Sequence, residues 1–138
     1  MTKPLVVAEL EWEGELRFGA RSGDHRLTID SAAASGPSPM QALGVGLAGC
    51  MAIDVVHILT KGRHPVTGMT ARLTGTRREE EPRRFVRIDL HFLVRGNVPY
   101  AAVERAVALS KEKYCSVWHS MRQDIDLNTS WEIRESPL

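Results

Sequence analysis

Hydrophobic and polar residues alternate with a period of two through the first thirty positions, the signature of strands that gather their apolar side chains on one face. Ala8, Leu10 and Trp12 fall on one side and Glu9, Glu11 and Glu13 on the other, after which Leu16 and Phe18 flank Arg17. Gly14 and its neighbours supply the turn between two strands of a hairpin. Arg26 to Asp30 repeats the alternation after the Ser22-Gly23-Asp24 turn, with Leu27 and Ile29 pointing together, and predicts a third short strand. The pattern then changes. Ser31 to Ser38 is rich in Ala, Ser and Gly and reads as a loop ending in Ser38-Pro39-Met40-Gln41, a helix start in which Ser38 caps, Pro39 suits the first helical position and Gln41 completes a capping box. From there to about Lys61 the residues are apolar nearly all round, and a helix apolar on every side must be covered on every side. Gly44, Gly46 and Gly49 are embedded in it. Each costs roughly 1 kcal/mol relative to Ala, so three of them predict another backbone packed very close.

Gly62 to Pro65 ends the helix and a long hairpin follows. Met69, Ala71 and Leu73 alternate with Thr70, Arg72 and Thr74, and Val86, Ile88, Leu90, Phe92 and Val94 alternate with Arg87, Asp89 and His91. The charged run Arg77 to Arg84 joins the two strands; its signs cancel, which favours a solvated hairpin tip over a binding surface. Gly96-Asn97-Val98-Pro99 opens a second helix with Val103, Ala106, Val107 and Ser110 on one face, breaking near Tyr114 to Ser116 before a short turn through Val117 and Met121. Leu127, Thr129, Trp131 and Ile133 then alternate with Asn128, Ser130 and Glu132 in a closing strand. The order βββ-α-ββ-α-β is α+β, with helices against a mostly antiparallel sheet. One sheet covers only one side of the long helix, which predicts a homodimer that buries the rest.

Composition narrows the partners. The 138 residues, 43% hydrophobic and 25% charged, suit one domain spanning residues 1 to 138. A net charge of +1 gives no field to draw the chain to nucleic acid or an anionic membrane. The first eight residues hold too short an apolar run for a signal peptide, and the run Ala42 to Ile53 is too short to span a bilayer, so a cytosolic protein is expected. In a reducing compartment the two cysteines, Cys50 and Cys115, are a transient redox pair, a metal site or inert packing rather than a permanent staple.

Zinc is disfavoured. Cys50, Cys115, His57 and His119 make up a two-Cys, two-His count, but Cys50 and His57 are separated by about 10 Å of helical rise, too far for ligands roughly 2.0 to 2.3 Å from one ion. Cys115 and His119, four apart, are spaced to chelate, yet the paired units of common structural sites are missing. There is no nucleophile elbow for Ser-His-Asp chemistry. Gly44-Val45-Gly46-Leu47-Ala48-Gly49 fits a dinucleotide fingerprint only formally, because it lies inside a helix rather than between strand and helix. No metal and no cofactor are expected. Asp54 and His57, one and two turns beyond Cys50 on nearby faces, read as satisfied interface residues, with tuning of the Cys50 thiol as the alternative, and Trp12, Trp118 and Trp131 as core or interface aromatics.

Four segments, Ser38-Pro39-Met40-Gln41, Gly49 to Val56, Arg77-Arg78-Glu79-Glu80 and Glu112 to Val117, resemble in order the OsmC/Ohr family of thiol-dependent hydroperoxide reductases, and within it the YhfA-like branch. The resemblance implies an intertwined homodimer with sites at the subunit interface. It implies that Cys50 is the peroxidatic residue, attacking the distal peroxide oxygen to give a sulfenic acid, and that Cys115 resolves it as a disulfide reopened by a dithiol reductant, lipoyl-type or another thiol. Organic hydroperoxides are the implied substrates, in keeping with an apolar pocket lined by residues such as Leu47, Met51 and Trp118. A short helix beginning near Ser116 would aim backbone N–H groups at Cys115. One departure stands out: in the peroxidase branches a glutamate early in the central helix holds an arginine near the thiolate, and Met40 occupies its place. Arg17, Arg21 and Arg26 lie in the region of that arginine, and none matches the motif well. The alternative is a non-catalytic dimer of the same fold that binds a small apolar or electrophilic ligand, its cysteines vestigial or sensing.

Overall fold

Six strands and three helices follow the expected order in the computed structural model, which describes residues 4 to 135. These residues form two compact units that meet between Leu43 and Gly44. In the N-terminal unit, β1 (Glu9–Trp12), β2 (Arg17–Ser22) and β3 (His25–Asp30) form an antiparallel sheet in sequence order. The register sets Leu10 opposite Ala20 and Ala20 opposite Leu27, and likewise Trp12 opposite Phe18 and Phe18 opposite Ile29, so the apolar residues share one face. That face is open: Leu10, Trp12, Phe18 and Leu27 are all exposed.

The loop after β3 is tied down by a buried carboxylate. Asp30 accepts hydrogen bonds from the backbone N–H groups of Ala32 (3.0 Å) and Ser35 (2.9 Å). These donors hold its pKa below the usual carboxylate value. The loop delivers the chain to α1 (Pro39–Lys61), where the capping box forms as expected: Gln41 N–H donates to Ser38 Oγ (3.2 Å) and Ser38 N–H to Gln41 Oε1 (3.0 Å).

The C-terminal unit is built on β4 (Val66–Arg77), β5 (Phe85–Gly96) and β6 (Asp126–Arg134). β4 and β5 pair antiparallel, while β6 lies parallel to β5 on its other side. That parallel pairing needs a crossover, which is supplied by α2 (Tyr100–Leu109), a π-helical turn (Ser110–Tyr114) and α3 (Ser116–His119). The hairpin tip closes locally, with Arg77 Nε donating to the Arg83 carbonyl (2.7 Å) and Arg83 paired with Glu81. Gly96 has φ +123°, and a Cβ there would sit 2.2 Å from the Pro65 carbonyl oxygen, so no other residue fits.

Leu90, Phe92 and Val94 of β5, Val103, Ala106 and Val107 of α2, and the stripe Leu47, Met51, Val55 and Leu59 of α1 make the core of this unit. The stripe repeats every four residues, one face of a helix. The length and apolarity of α1 would suit a membrane span, but this stripe is spent on the core. Its remaining faces are less covered. Val45 and Ile53 are 72% and 70% exposed, and a Cβ on Gly46 or Gly49 would meet nothing within 4 Å. Among the described residues the close backbone contact expected at the glycines is therefore not made: a Cβ on Gly44 would meet the Leu73 side chain at an ordinary 3.5 Å.

Candidate active site

Cys50 sits midway along α1, beside the buried stripe and half-buried itself. Asp54 follows four residues later, one helical turn on and on the same face. The third component arrives from the crossover. The helix widens after α2, so that the Cys115 N–H donates to the Ser110 carbonyl five residues back (2.8 Å). Such π-turns frequently occur at functional sites. Here the turn does two things. It directs the buried Ser110 hydroxyl to Asp54 Oδ2 (2.8 Å), and it releases the chain at Cys115 in an extended conformation, as the N-cap of α3. The outcome is a compact cluster: the sulfurs of Cys50 and Cys115 and a carboxylate oxygen of Asp54 all lie within 4.8 Å of one another, with both cysteines free.

The two thiols occupy different environments. Cys115 is fully buried, and its sulfur accepts the Trp118 N–H (3.3 Å). Burial pushes this thiol up to about 11, with Cys50 and Asp54 adding to the rise and the Trp118 N–H opposing it. The donor expected from α3 is thus present, but desolvation outweighs it, and Cys115 is a protonated thiol at neutral pH. Such a group is poorly suited to attack first and well suited to wait for an electrophilic sulfur.

A cavity of about 520 Å³ opens beside Asp54, lined by His57, Ile58, Lys61, Gly62, Arg105, Leu109 and Tyr114. It corrects the expectation of an apolar pocket. Leu47 and Met51 are fully buried core side chains, and Trp118 faces a different cavity, with Lys111 and His119. The space next to the cluster is instead amphipathic, with cationic side chains and a phenol among aliphatic ones.

Asp54 was expected at an interface and lies in the cluster; Ser110, expected only on a buried face, anchors it. Neither role carries a sequence signal beyond position, because the bond joins residues 56 apart. As a metal set the trio falls short of the four ligands of a structural zinc centre. Neither histidine of the four-residue combination joins it, and His119 Nε2 is bonded to the Lys111 carbonyl (3.0 Å). Arg17 and Arg21 pair with Glu15 and Glu9 within the N-terminal unit. A second polar group, His91 between Ser130 Oγ (2.7 Å) and Glu132 Oε2 (3.0 Å), has the makings of a serine triad. It lies across exposed positions of β5 and the edge strand β6 and lines neither the cavity beside Asp54 nor the one at Trp118.

The model of the family described as OsmC-like protein matches residues 32–130. Protein YhfA of Escherichia coli (strain K12) is 43% identical over 131 residues, covering 93% of this chain and 98% of that protein. A crystal structure of a hypothetical protein from Aquifex aeolicus VF5 superposes with a TM-score of 0.90 at 34% identity, covering 97% of this chain and 99% of that one. An organic hydroperoxide resistance protein OsmC from Legionella pneumophila shares the fold at a TM-score of 0.73 and 15% identity, covering 96% and 99% of the two chains. With its family model, its similarity to YhfA and its two cysteines gathered beside Asp54, the chain belongs to the OsmC-like family.

Proposed function

We propose that the protein is a thiol-dependent peroxidase that reduces organic hydroperoxides, with Cys50 as nucleophile and Cys115 as resolving residue. The observation that carries this reading is the approach of the two free sulfurs to within 4.8 Å. A disulfide needs the two sulfurs brought to about 2.05 Å, and their present approach supports the pairing. The accessibility of the pair has the right order: Cys50 is half-buried and Cys115 fully buried and protonated.

The steps balance as follows. The Cys50 sulfur attacks the distal oxygen of the hydroperoxide, the O–O bond breaks, and the alcohol leaves with one proton, giving a Cys50 sulfenic acid. The Cys115 thiol displaces water from it to form a disulfide. A dithiol returns both cysteines to the reduced state by exchange. The cavity beside Asp54 is the entry for the hydroperoxide, its aliphatic walls Ile58 and Leu109 taking the apolar body.

A homodimer belongs to the same reading. Val45 and Ile53 on α1, and separately Leu10, Trp12, Phe18 and Leu27 on one face of the N-terminal sheet, are exposed apolar side chains of the kind that mark interaction surfaces when they cluster. The open space at Gly46 and Gly49 gives those glycines a purpose if a partner helix lies against them. A second reading, a non-catalytic ligand-binding dimer, draws on Met40 standing where the peroxidase branches carry a glutamate.

The two readings separate on consumption of cumene hydroperoxide with dihydrolipoamide as reductant. Turnover by the wild type and its loss in Cys50→Ser support the peroxidase; equal turnover in Cys50→Ser removes it.

A further inference from the structure

A thiol that attacks a peroxide must lose a proton, and the departing alkoxide must gain one. The groups around Cys50 restrict which one moves it. From α1 comes Asp54; from the head of α3, the protonated Cys115 thiol; from the π-turn, the Ser110 hydroxyl, which donates to Asp54. Around the adjoining cavity stand His57, Lys61, Arg105 and Tyr114. Asp54 lies within 4.8 Å of both sulfurs and also lines the cavity wall.

We propose that Asp54 is the proton carrier of the peroxidase cycle, taking the proton from Cys50 as its sulfur attacks and delivering it to the alkoxide that leaves. The proposal rests on the peroxidase reading. In the first half of the cycle the S–H proton passes to the Asp54 carboxylate, the S–O bond forms as the O–O bond breaks, and the carboxylic acid protonates the alkoxide. Sulfur is oxidised by two electrons, the hydroperoxide is reduced to alcohol, and Asp54 returns to carboxylate. In the second half Asp54 takes the Cys115 proton as that sulfur attacks the sulfenic acid, and gives it to the departing hydroxide, which leaves as water. Ser110 positions the carboxylate by donating to its Oδ2.

A carboxylate has two opposed effects on a neighbouring thiol, and this makes the proposal testable by sign. As a fixed negative charge it disfavours the thiolate, so its removal would speed a reaction that runs through pre-formed thiolate. As a proton acceptor it speeds the reaction, so its removal would slow it. Asparagine keeps the shape and still accepts from Ser110. Single-turnover oxidation by excess cumene hydroperoxide, quenched with an alkylating reagent and read by mass spectrometry, is followed in wild type, Asp54→Asn, Asp54→Glu and Ser110→Ala. The wild-type rate is expected to be nearly flat across the neutral range, because a carboxylate that takes the proton during attack removes the need for pre-formed thiolate. Asp54→Asn should be on the order of 100-fold slower at neutral pH, as for loss of a general base, with a rate rising about tenfold per pH unit. Asp54→Glu should restore the flat profile, and Ser110→Ala should keep it at a lower rate.

A wild-type rate that itself climbs tenfold per unit, or an Asp54→Asn rate equal to or above wild type, overturns the proposal while leaving Cys50 as nucleophile. The wild-type profile decides even if Asp54→Asn fails to fold. Absence of any Cys50 oxidation in the wild type is the separate outcome that removes the peroxidase reading.

Discussion

The two three-stranded sheets use their apolar residues in opposite ways. β4, β5 and β6 bury Ile88, Leu90, Phe92 and Val94 almost completely, and this unit carries Cys50, Asp54, Ser110 and Cys115. β1, β2 and β3 align an equally apolar face in good register and leave it exposed, with Trp12 at 64% and Leu10 at 53%. The difference teaches where the reactive cluster gets its rigidity: from a sheet whose core is complete within one chain. The N-terminal sheet has the apolar pattern of a buried sheet, yet among the described residues Leu10, Trp12, Phe18 and Leu27 on it are exposed.

The contrast can be broken or sharpened by mutation. Phe92→Ala empties the centre of the closed sheet and should cost about 3–5 kcal/mol in denaturant unfolding. Leu10→Ala on the open sheet should cost well under 1 kcal/mol in a chain kept monomeric by dilution, as for an ordinary surface site. Equal costs would mean that the two sheets are covered alike. Next in size, Trp12→Glu or Ile53→Glu should halve the mass measured by light scattering at micromolar concentration, with the helical circular dichroism retained. A wild type already monomeric there would contradict the dimer.

Cys115 predicts an alkaline weakness of the closed unit. Its thiol lies near 11 in the folded chain against an ordinary 9.0, so the folded state holds its proton where the unfolded state has lost it. Stability is then fully present below about pH 9 and falls as pH rises toward and through about 11, by ~1.4 kcal/mol for each unit of difference at most. Cys115→Ala should flatten that slope, and an unchanged slope would contradict the assignment. The smallest effect is expected at Asp30, whose pKa is held down by the Ser35 and Ala32 N–H groups. Its contribution is present above the ordinary carboxylate range and lost as pH falls through the lowered value. Asp30→Asn should remove this share of the acid dependence from the melting curve, and a melting curve that keeps it would place the acid sensitivity elsewhere.

Local chemistry was legible in the sequence, and tertiary chemistry was not. The Ser38 and Gln41 cap formed as expected because both bonds span three residues, and each alternating segment overlapped a strand, several of which run some residues beyond it. Alternation does not encode direction, so nothing in Leu127, Thr129 and Trp131 foretold that β6 runs parallel to β5. Cys50 and Cys115 stood out as residue types. Asp54 stands one turn beyond Cys50 but reads first as an interface residue, because its partners Ser110 and Cys115 lie more than fifty residues away. The pocket was misjudged for a related reason: apolarity placed Leu47 and Met51 correctly inside, and a fully buried side chain lines no cavity.

The most direct measurement is the mass of the reduced protein after one equivalent of cumene hydroperoxide, followed by peptide mapping under conditions that preserve disulfides. A protein lighter by two hydrogens, with a peptide linking Cys50 to Cys115 that is absent from Cys50→Ser, is the expected result. An unchanged mass, or oxygen retained on Cys50 with Cys115 still free, would contradict the pairing of these two sulfurs.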